Sequence, residues 1–328
     1  MKFDIYTHLI PPKLKDLMFE KQKTITELKT STAVHDLDFR FRAMDRHPDV
    51  LQVLTVPGAT VDELAEPGQA VDLAKRVNDE IAELVFKYPD RFIAGVAVLP
   101  MSDIDAALDE IDRSINDLKL RGILLRVPVN GKPMDRPEFF PVYEKMCQHN
   151  LPIWFHPHRN PKVPDYPDET ESKYIIWHFW GLVVETTVSM TRLVFSGVME
   201  KYPKLKIITH HCGAMVPYFS ERIVNHYNMS EMRNRTDFKV GLTEAPIDYF
   251  RRFFTDTALI GNTSALMCAY HFFGVDQILF GTDAPFDSQA GFYGTPRTIK
   301  AIEMMDIPDE DKNKIFEENA RKLLRLPA

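Results

Sequence analysis

Cysteine is scarce in this chain of 328 residues. Cys147, Cys212 and Cys268 are scattered, odd in number and without metal-type spacing. That argues against a disulfide framework and points to a reducing compartment. Long apolar runs are missing too. None approaches the ~20 residues that span a bilayer, and the opening Met1-Lys2-Phe3-Asp4 lacks the apolar core of a signal peptide. No membrane partner is expected, and the chain reads as cytoplasmic. Positive charge is not in excess. With 40 Lys and Arg against 47 Asp and Glu, the net charge is −7, which argues against a general nucleic-acid binder. No glycine-rich phosphate fingerprint follows the first predicted strand, which lowers the nucleotide-binding form of an α/β sheet. There is no internal repeat and no low-complexity tract.

What is present suits a soluble globular protein. The apolar fraction of 45% over this length supplies a core that needs neither disulfide nor metal merely to fold. Strand-like and helix-like patterns then alternate to the end. Phe3-Asp4-Ile5-Tyr6-Thr7-His8 roughly alternates apolar with polar residues and stops at Pro11-Pro12, so it predicts a strand that delivers His8 to its C-terminal end. Further strands are predicted over 51–56, 92–98, 122–127, 152–156, 205–210, 252–256 and 277–283. Asp72 to Lys87 predicts an amphipathic helix with Leu73, Val77, Ile81, Leu84 and Val85 on one face. Ser102 is expected to cap the next helix, and Asp309 to Leu326 to form the last. Stretches 157–173 and 228–245 read as long insertions. Eight strands with intervening helices predict a (β/α)8 TIM-type barrel with insertions in its βα loops, in one domain over 1–328. An open doubly wound sheet is the alternative.

In such a barrel, chemistry sits at the C-terminal ends of the strands. Those ends carry His8, His156, the pair His210-His211, and Asp283. Neutral imidazole and carboxylate suit Zn²⁺ and similar ions. Each residue alone is weak evidence, and Asp283 in Gly281-Thr282-Asp283-Ala284-Pro285 is also a natural turn aspartate. Their common placement on separate strands is the stronger signal. Cys212 has no glycine-elbow or cysteine–histidine–asparagine context and reads as packing.

Several ordered segments carry a resemblance. They are Asp4-Ile5-Tyr6-Thr7-His8, Asn78-Asp79-Glu80 before Lys87-Tyr88-Pro89-Asp90-Arg91-Phe92, Pro152-Ile153-Trp154-Phe155-His156-Pro157, and Arg192-Leu193-Val194-Phe195-Ser196-Gly197. Tyr202-Pro203-Lys204-Leu205-Lys206 follows, then His210-His211-Cys212-Gly213-Ala214-Met215-Val216-Pro217. Leu279 to Phe286 and Asn319 to Leu324 complete the set. Over nearly the whole chain the sequence resembles the amidohydrolase superfamily, in the branch of aminocarboxymuconate semialdehyde decarboxylase and the resorcylate-type decarboxylases.

The resemblance implies His8, His156 and Asp283 as ligands of a divalent metal, Zn²⁺ first and Mn²⁺ second. It implies His211, six residues before Pro217, as the acid–base histidine, with Asp283 also a candidate proton acceptor. His210 is then a neighbour whose side chain points away from the pocket if the strand stays regular. Tyr6 departs from the family pattern, which usually has histidine there and sometimes glutamate. It is an unusual oxygen ligand, a bystander, or the mark of a metal-free site in which it shares proton transfer with His211. Arg40 stands where the family often has an arginine, and reads either as a carboxylate clamp or as a solvated helix residue. Arg126, His158, His178, Trp177, Phe286 and Phe292 are further candidates to line a pocket for a planar substrate. The expected function is non-oxidative decarboxylation of an aromatic or unsaturated carboxylic acid by a homodimer. Hydrolysis or hydration of a lactone, amide or ring-cleavage product is the first alternative, and a catalytically silent binding subunit the second.

Overall fold

A computed structural model describes residues 1–21, 31–229, 235 and 241–326. The strands are β1 (Lys2–His8), β2 (Val50–Thr55), β3 (Phe92–Gly95), β4 (Ile123–Val127), β5 (Ile153–Pro157), β6 (Ile207–Thr209) and β7 (Phe254–Thr255). All pair in parallel, in two ladders ordered β1-β2-β3 and β4-β5-β6-β7. Ala97, just beyond β3, bridges Ile123 of β4. The predicted eighth strand runs between β7 and β1. There the Leu279 N–H donates to the Thr255 carbonyl (2.9 Å), the Ile5 N–H to Phe280 (2.9 Å) and the His8 N–H to Ala284 (2.7 Å). Eight segments thus form a closed ring, a (β/α)8 barrel.

The eighth segment is not a regular strand, which corrects the expectation over 277–283. Its central backbone groups bond to side chains instead of to neighbouring strands. The Thr257 hydroxyl bonds both the N–H (3.0 Å) and the carbonyl (2.9 Å) of Gly281, and the Thr282 N–H donates to Asp4 Oδ1 (3.0 Å). Asn319 on the last helix donates to the carbonyls of Val275 and Ile278, so this segment is held from three sides.

Phe3, Ile5, Val53, Ala94, Leu124, Trp154, Ile208 and Leu279 form one buried cluster that fills the barrel, and Leu323 and Leu324 join it from the C-terminal helix. Strand alternation alone would send Tyr6 and His8 outward once Ile5 faces in. A bulge between Asp4 and Thr7 breaks the register of β1 against β2 and re-aims the strand. Tyr6 then joins the interior cluster and His8 follows it to the mouth. The larger apolar cluster lies between barrel and helices. Within it the helix Pro67–Lys87 buries Leu73, Val77, Ile81 and Leu84, the face its periodicity predicts. It begins earlier than Asp72 because Pro67 fills the first turn, where a missing N–H costs nothing.

Two local expectations are corrected. Asp103, not Ser102, caps the helix Ile104–Asn116 by accepting from the Ala106 N–H, while Ser102 donates to Asp62. The last helix is interrupted by a π-turn over Lys314–Glu318. The stretch 158–175 holds no helix or strand, as its composition suggests. Much of the expected insertion at 228–245 lies outside the described residues. Among those described, no helix is long and apolar enough to cross a membrane.

Candidate active site

His8 ends β1, fully buried, with its Nδ1 2.9 Å from the Thr55 hydroxyl. His156 lies on β5 with its Nδ1 2.8 Å from the Pro157 carbonyl. His210 follows β6 with its Nδ1 bonded to Asp256 Oδ2. Each ring is therefore tethered at Nδ1, which leaves Nε2 free to face the barrel mouth. Nε2 of His8 lies 3.0 Å from Asp283 Oδ1, and Nε2 of His210 lies 3.3 Å from the same oxygen. Neither approach has hydrogen-bond alignment, and both nitrogens are buried without a hydrogen-bond partner. The ligating atoms of His8, His156 and His210 all lie within 4.8 Å of one another, as do those of His210, His211 and Asp283.

This arrangement fits a divalent cation. Metal–nitrogen bonds of about 2.0–2.1 Å put tetrahedral ligand atoms roughly 3.4 Å apart. Outer tethers on each imidazole are the usual means of fixing its tautomer. Burial lowers the pKa of His8, and lowers that of His156 well below the ordinary imidazole value, aided by the neighbouring His8 ring, which disfavours a second protonation, and by the Arg126 charge. Both rings are held in the neutral form that binds a metal. Burial would raise the Asp283 carboxyl, but His210 and His8 outweigh it and hold it well below the usual range.

The structure places His210 in the site, against the expectation that it points away. Regular strand geometry ends at Thr209. Ile208 packs inside the barrel, so alternation itself brings His210, two residues on, to the inner face. His211, Cys212, Gly213 and Ala214 then all take positive φ, from 55° to 72°, and this turn brings His211 in beside it. The two rings lie side by side, 3.9 Å between centroids. His211 also reaches Asp283, Nε2 to Oδ2 at 4.0 Å, and its Nδ1 is buried without a partner. Burial and the neighbouring His210 lower its pKa to about 4.

Tyr6 is buried, and its hydroxyl donates to the Phe155 carbonyl (3.1 Å). Its ring lies flat on His210, 3.9 Å between centroids and 10° between planes. Burial, then Asp256 and Asp283, push the phenol well above its usual value. A protonated phenol committed to a carbonyl is a packing platform and a poor metal ligand, which corrects the oxygen-ligand reading.

Arg40 is corrected more firmly. It is buried behind β1, and its guanidinium bonds Gln52, Thr7 and the carbonyls of His8 and Ala33. It braces the strand that carries His8, with four of its five N–H donors committed there. Phe292 is also away from the histidines, packed edge-on against Phe39 under Arg46. Other candidates do converge. Phe286 lies 5.3 Å from the His8 ring. Arg126 donates to His158 (2.6 Å) and its Nε is buried without a partner. Its charge is felt at both His156 and Tyr6. Burial, then Arg126, lower the His158 pKa to about 4. His178 acts on His211, and Trp177 packs edge-on against His178. Beside Arg126 opens an apolar cavity lined by Leu14, Val56, Val98, Leu99 and Val129.

Asp256 and Thr55 are functional neighbours that the sequence reading passed over. Asp256 ends the predicted seventh strand, so the strand-end signal that picked out Asp283 was present there as well. Asp256 also accepts from the N–H groups of His211, Cys212 and Ala258, which fixes the turn carrying both histidines.

Imidazoles from three strand ends and a carboxylate from a fourth, gathered at the C-terminal mouth of a parallel barrel, define a barrel enzyme with a divalent-metal type of site. The chain belongs to the amidohydrolase family, whose model matches residues 3–326. It is 33% identical over 300 residues to gamma-resorcylate decarboxylase of Polaromonas sp. (strain JS666), across 88% of this chain and 87% of that one. It is 28% identical over 313 residues to 2-amino-3-carboxymuconate-6-semialdehyde decarboxylase of Dictyostelium discoideum, across 87% and 82%. A crystal structure of dihydroxybenzoic acid decarboxylase from Polaromonas sp. JS666, with bound manganese and the inhibitor 2-nitroresorcinol, is similar with a TM-score of 0.79. It has 29% identity and covers 99% of this chain and 96% of that one.

Proposed function

We propose that this protein is a non-oxidative decarboxylase of an aromatic carboxylic acid, working as a single barrel domain. The observation that carries the reading is its likeness, over most of its length, to gamma-resorcylate decarboxylase. His8, His156 and Asp283 would hold a divalent ion, proposed as Zn²⁺ because imidazole suits it. When bound, the ion supplies fixed positive charge against an anionic substrate. The unpartnered Nε of Arg126 offers a charge-assisted hydrogen bond to the carboxylate. Phe286, beside the His8 ring, offers an aromatic face to the substrate ring.

His211 is the proposed proton carrier. A neutral imidazole takes a proton at one ring nitrogen as it gives one from the other. The proton goes to the ring carbon that bears the carboxylate. The bond from that carbon to the carboxylate then breaks, its electron pair returns to the ring, and CO2 leaves. Asp283, beside His211 Nε2, is the proposed partner of this transfer. The aromatic segment after the long loop is the proposed homodimer surface. The three cysteines are unpaired, in keeping with a proposed cytoplasmic location.

The test is turnover of a panel of hydroxybenzoic acids, including 2,6-dihydroxybenzoate, in D2O and in ¹⁸O-labelled water. The expected result is CO2 release with one deuterium at the vacated ring carbon. Uptake of ¹⁸O into product without CO2 would mean hydrolysis or hydration instead. Binding without turnover across the panel would favour a silent subunit.

A further inference from the structure

Tyr6 stands beside His8 at the base of the site, yet its hydroxyl is spent on the Phe155 carbonyl. The first strand therefore offers one ligand, His8. The imidazole of His210, from the turn after β6, lies directly on the Tyr6 ring. Its Nδ1 is anchored by Asp256. Its Nε2 is buried, has no hydrogen-bond partner and points at the position shared by His8 and Asp283. Buried polar nitrogens are rarely left unpartnered, and each case asks for an explanation. A cation between His8, His156, His210 and Asp283 supplies the missing partner to both orphaned nitrogens at once.

We propose that His210 is a metal ligand of this site, brought in over the Tyr6 platform in place of a first-strand ligand, with Asp256 as its positioning residue. The inference rests on the reading that the site binds a divalent ion. The donor set becomes three imidazoles and one carboxylate. That set is richer in nitrogen than His8, His156 and Asp283 alone, and favours Zn²⁺ over Mn²⁺. It gives Tyr6 a function: a flat, neutral ring sets the plane of the His210 imidazole, where a charged or smaller residue would let it turn. The rival account makes His210 a protonated bridge between Asp256 and Asp283, with no part in holding metal.

The first measurement is X-ray absorption at the zinc edge of the Zn²⁺-loaded parent protein. Three imidazoles in the coordination shell are expected; two would overturn the inference. The second is Zn²⁺ and Mn²⁺ affinity by competition with a chromophoric chelator, for the parent and for His210→Ala, Asp256→Asn and the double variant Tyr6→His/His210→Ala. Losing an outer partner of a ligand costs about 10–100-fold in affinity. Asp256→Asn, which keeps an oxygen for the backbone donors, should fall in that range, and His210→Ala should fall further. The double variant should recover part of the loss, because it restores an imidazole to the first strand. Parent-like Zn²⁺ affinity in a folded His210→Ala protein would sink the assignment of His210 and leave the metal site standing. Failure of the parent to bind either ion would sink both.

Discussion

At the scale of single residues, the proposed division between metal holding and proton transfer follows how each ring is fixed. His8, His156 and His210 are each tethered at Nδ1, whereas His211 has a buried Nδ1 with no partner. A ring without a tether is free to exchange a proton. His211→Asn is expected to lower kcat by about 10²–10⁴-fold, the span general acid–base catalysis contributes, while metal content and thermal midpoint stay near the parent's. Near-normal turnover would remove His211 from the mechanism. Arg126→Gln is expected to act on binding. Losing one charged hydrogen bond of about 1.5–3 kcal/mol raises KM roughly 10–100-fold, with a smaller effect on kcat. A pure kcat defect would place Arg126 elsewhere in the reaction. The ends of predicted strands identified His8, His156 and Asp283, because a strand end in a barrel is a defined place. His210 shares its face with Ile208, which packs inside the barrel, so its direction follows alternation once the inner face of that strand is known. The entry of His211 beside it depends on four consecutive positive-φ residues that no alternation pattern encodes. Arg40 was misread for a related reason: a helix arginine looks solvated in sequence until the strand it braces is seen behind it.

At the scale of elements, the eight-stranded barrel was legible and the irregular form of its eighth segment was not. Seven strands overlap the runs that predicted them, because β-branched and aromatic clusters bounded by turn residues survive packing. The eighth is held at its centre by side chains, above all Asp4, which accepts from the Thr282 N–H and hydroxyl. Burial raises the Asp4 carboxyl to about 7, against the pull of these bonds and of Arg40. Its folded value lies above the ordinary ~4 of an unfolded chain. The folded state therefore holds the proton more tightly. This contribution to stability is complete below about pH 4 and is lost as pH rises through 7. Urea unfolding of the parent and of Asp4→Asn at pH 5 and pH 8 checks this. The parent should lose more stability between the two than the variant, whose amide does not titrate. Equal slopes would mean that Asp4 is ionised throughout.

At the scale of the whole molecule, the segment after the long loop presents a cluster of large exposed apolar side chains. Tyr174 and Ile175 both take positive φ, near 55° and 60°. That conformation is costly for a β-branched residue. The turn also leaves Tyr174, Ile175, Phe179 and Trp180 exposed within seven residues. Clustered apolar exposure of this kind marks an interaction site, and a second copy of the chain is the proposed partner. The same segment carries Trp177 and His178, and His178 acts on His211, so covering its outer face would also steady the wall of the site. Trp180→Glu places a charge that would be desolvated in the contact. Light scattering at tens of micromolar should give a dimer for the parent and a monomer for the variant. Metal content should be unchanged, and turnover should fall several-fold as the segment loosens. A monomeric parent would end the dimer proposal. A monomeric variant with full activity would keep the dimer and detach it from the site.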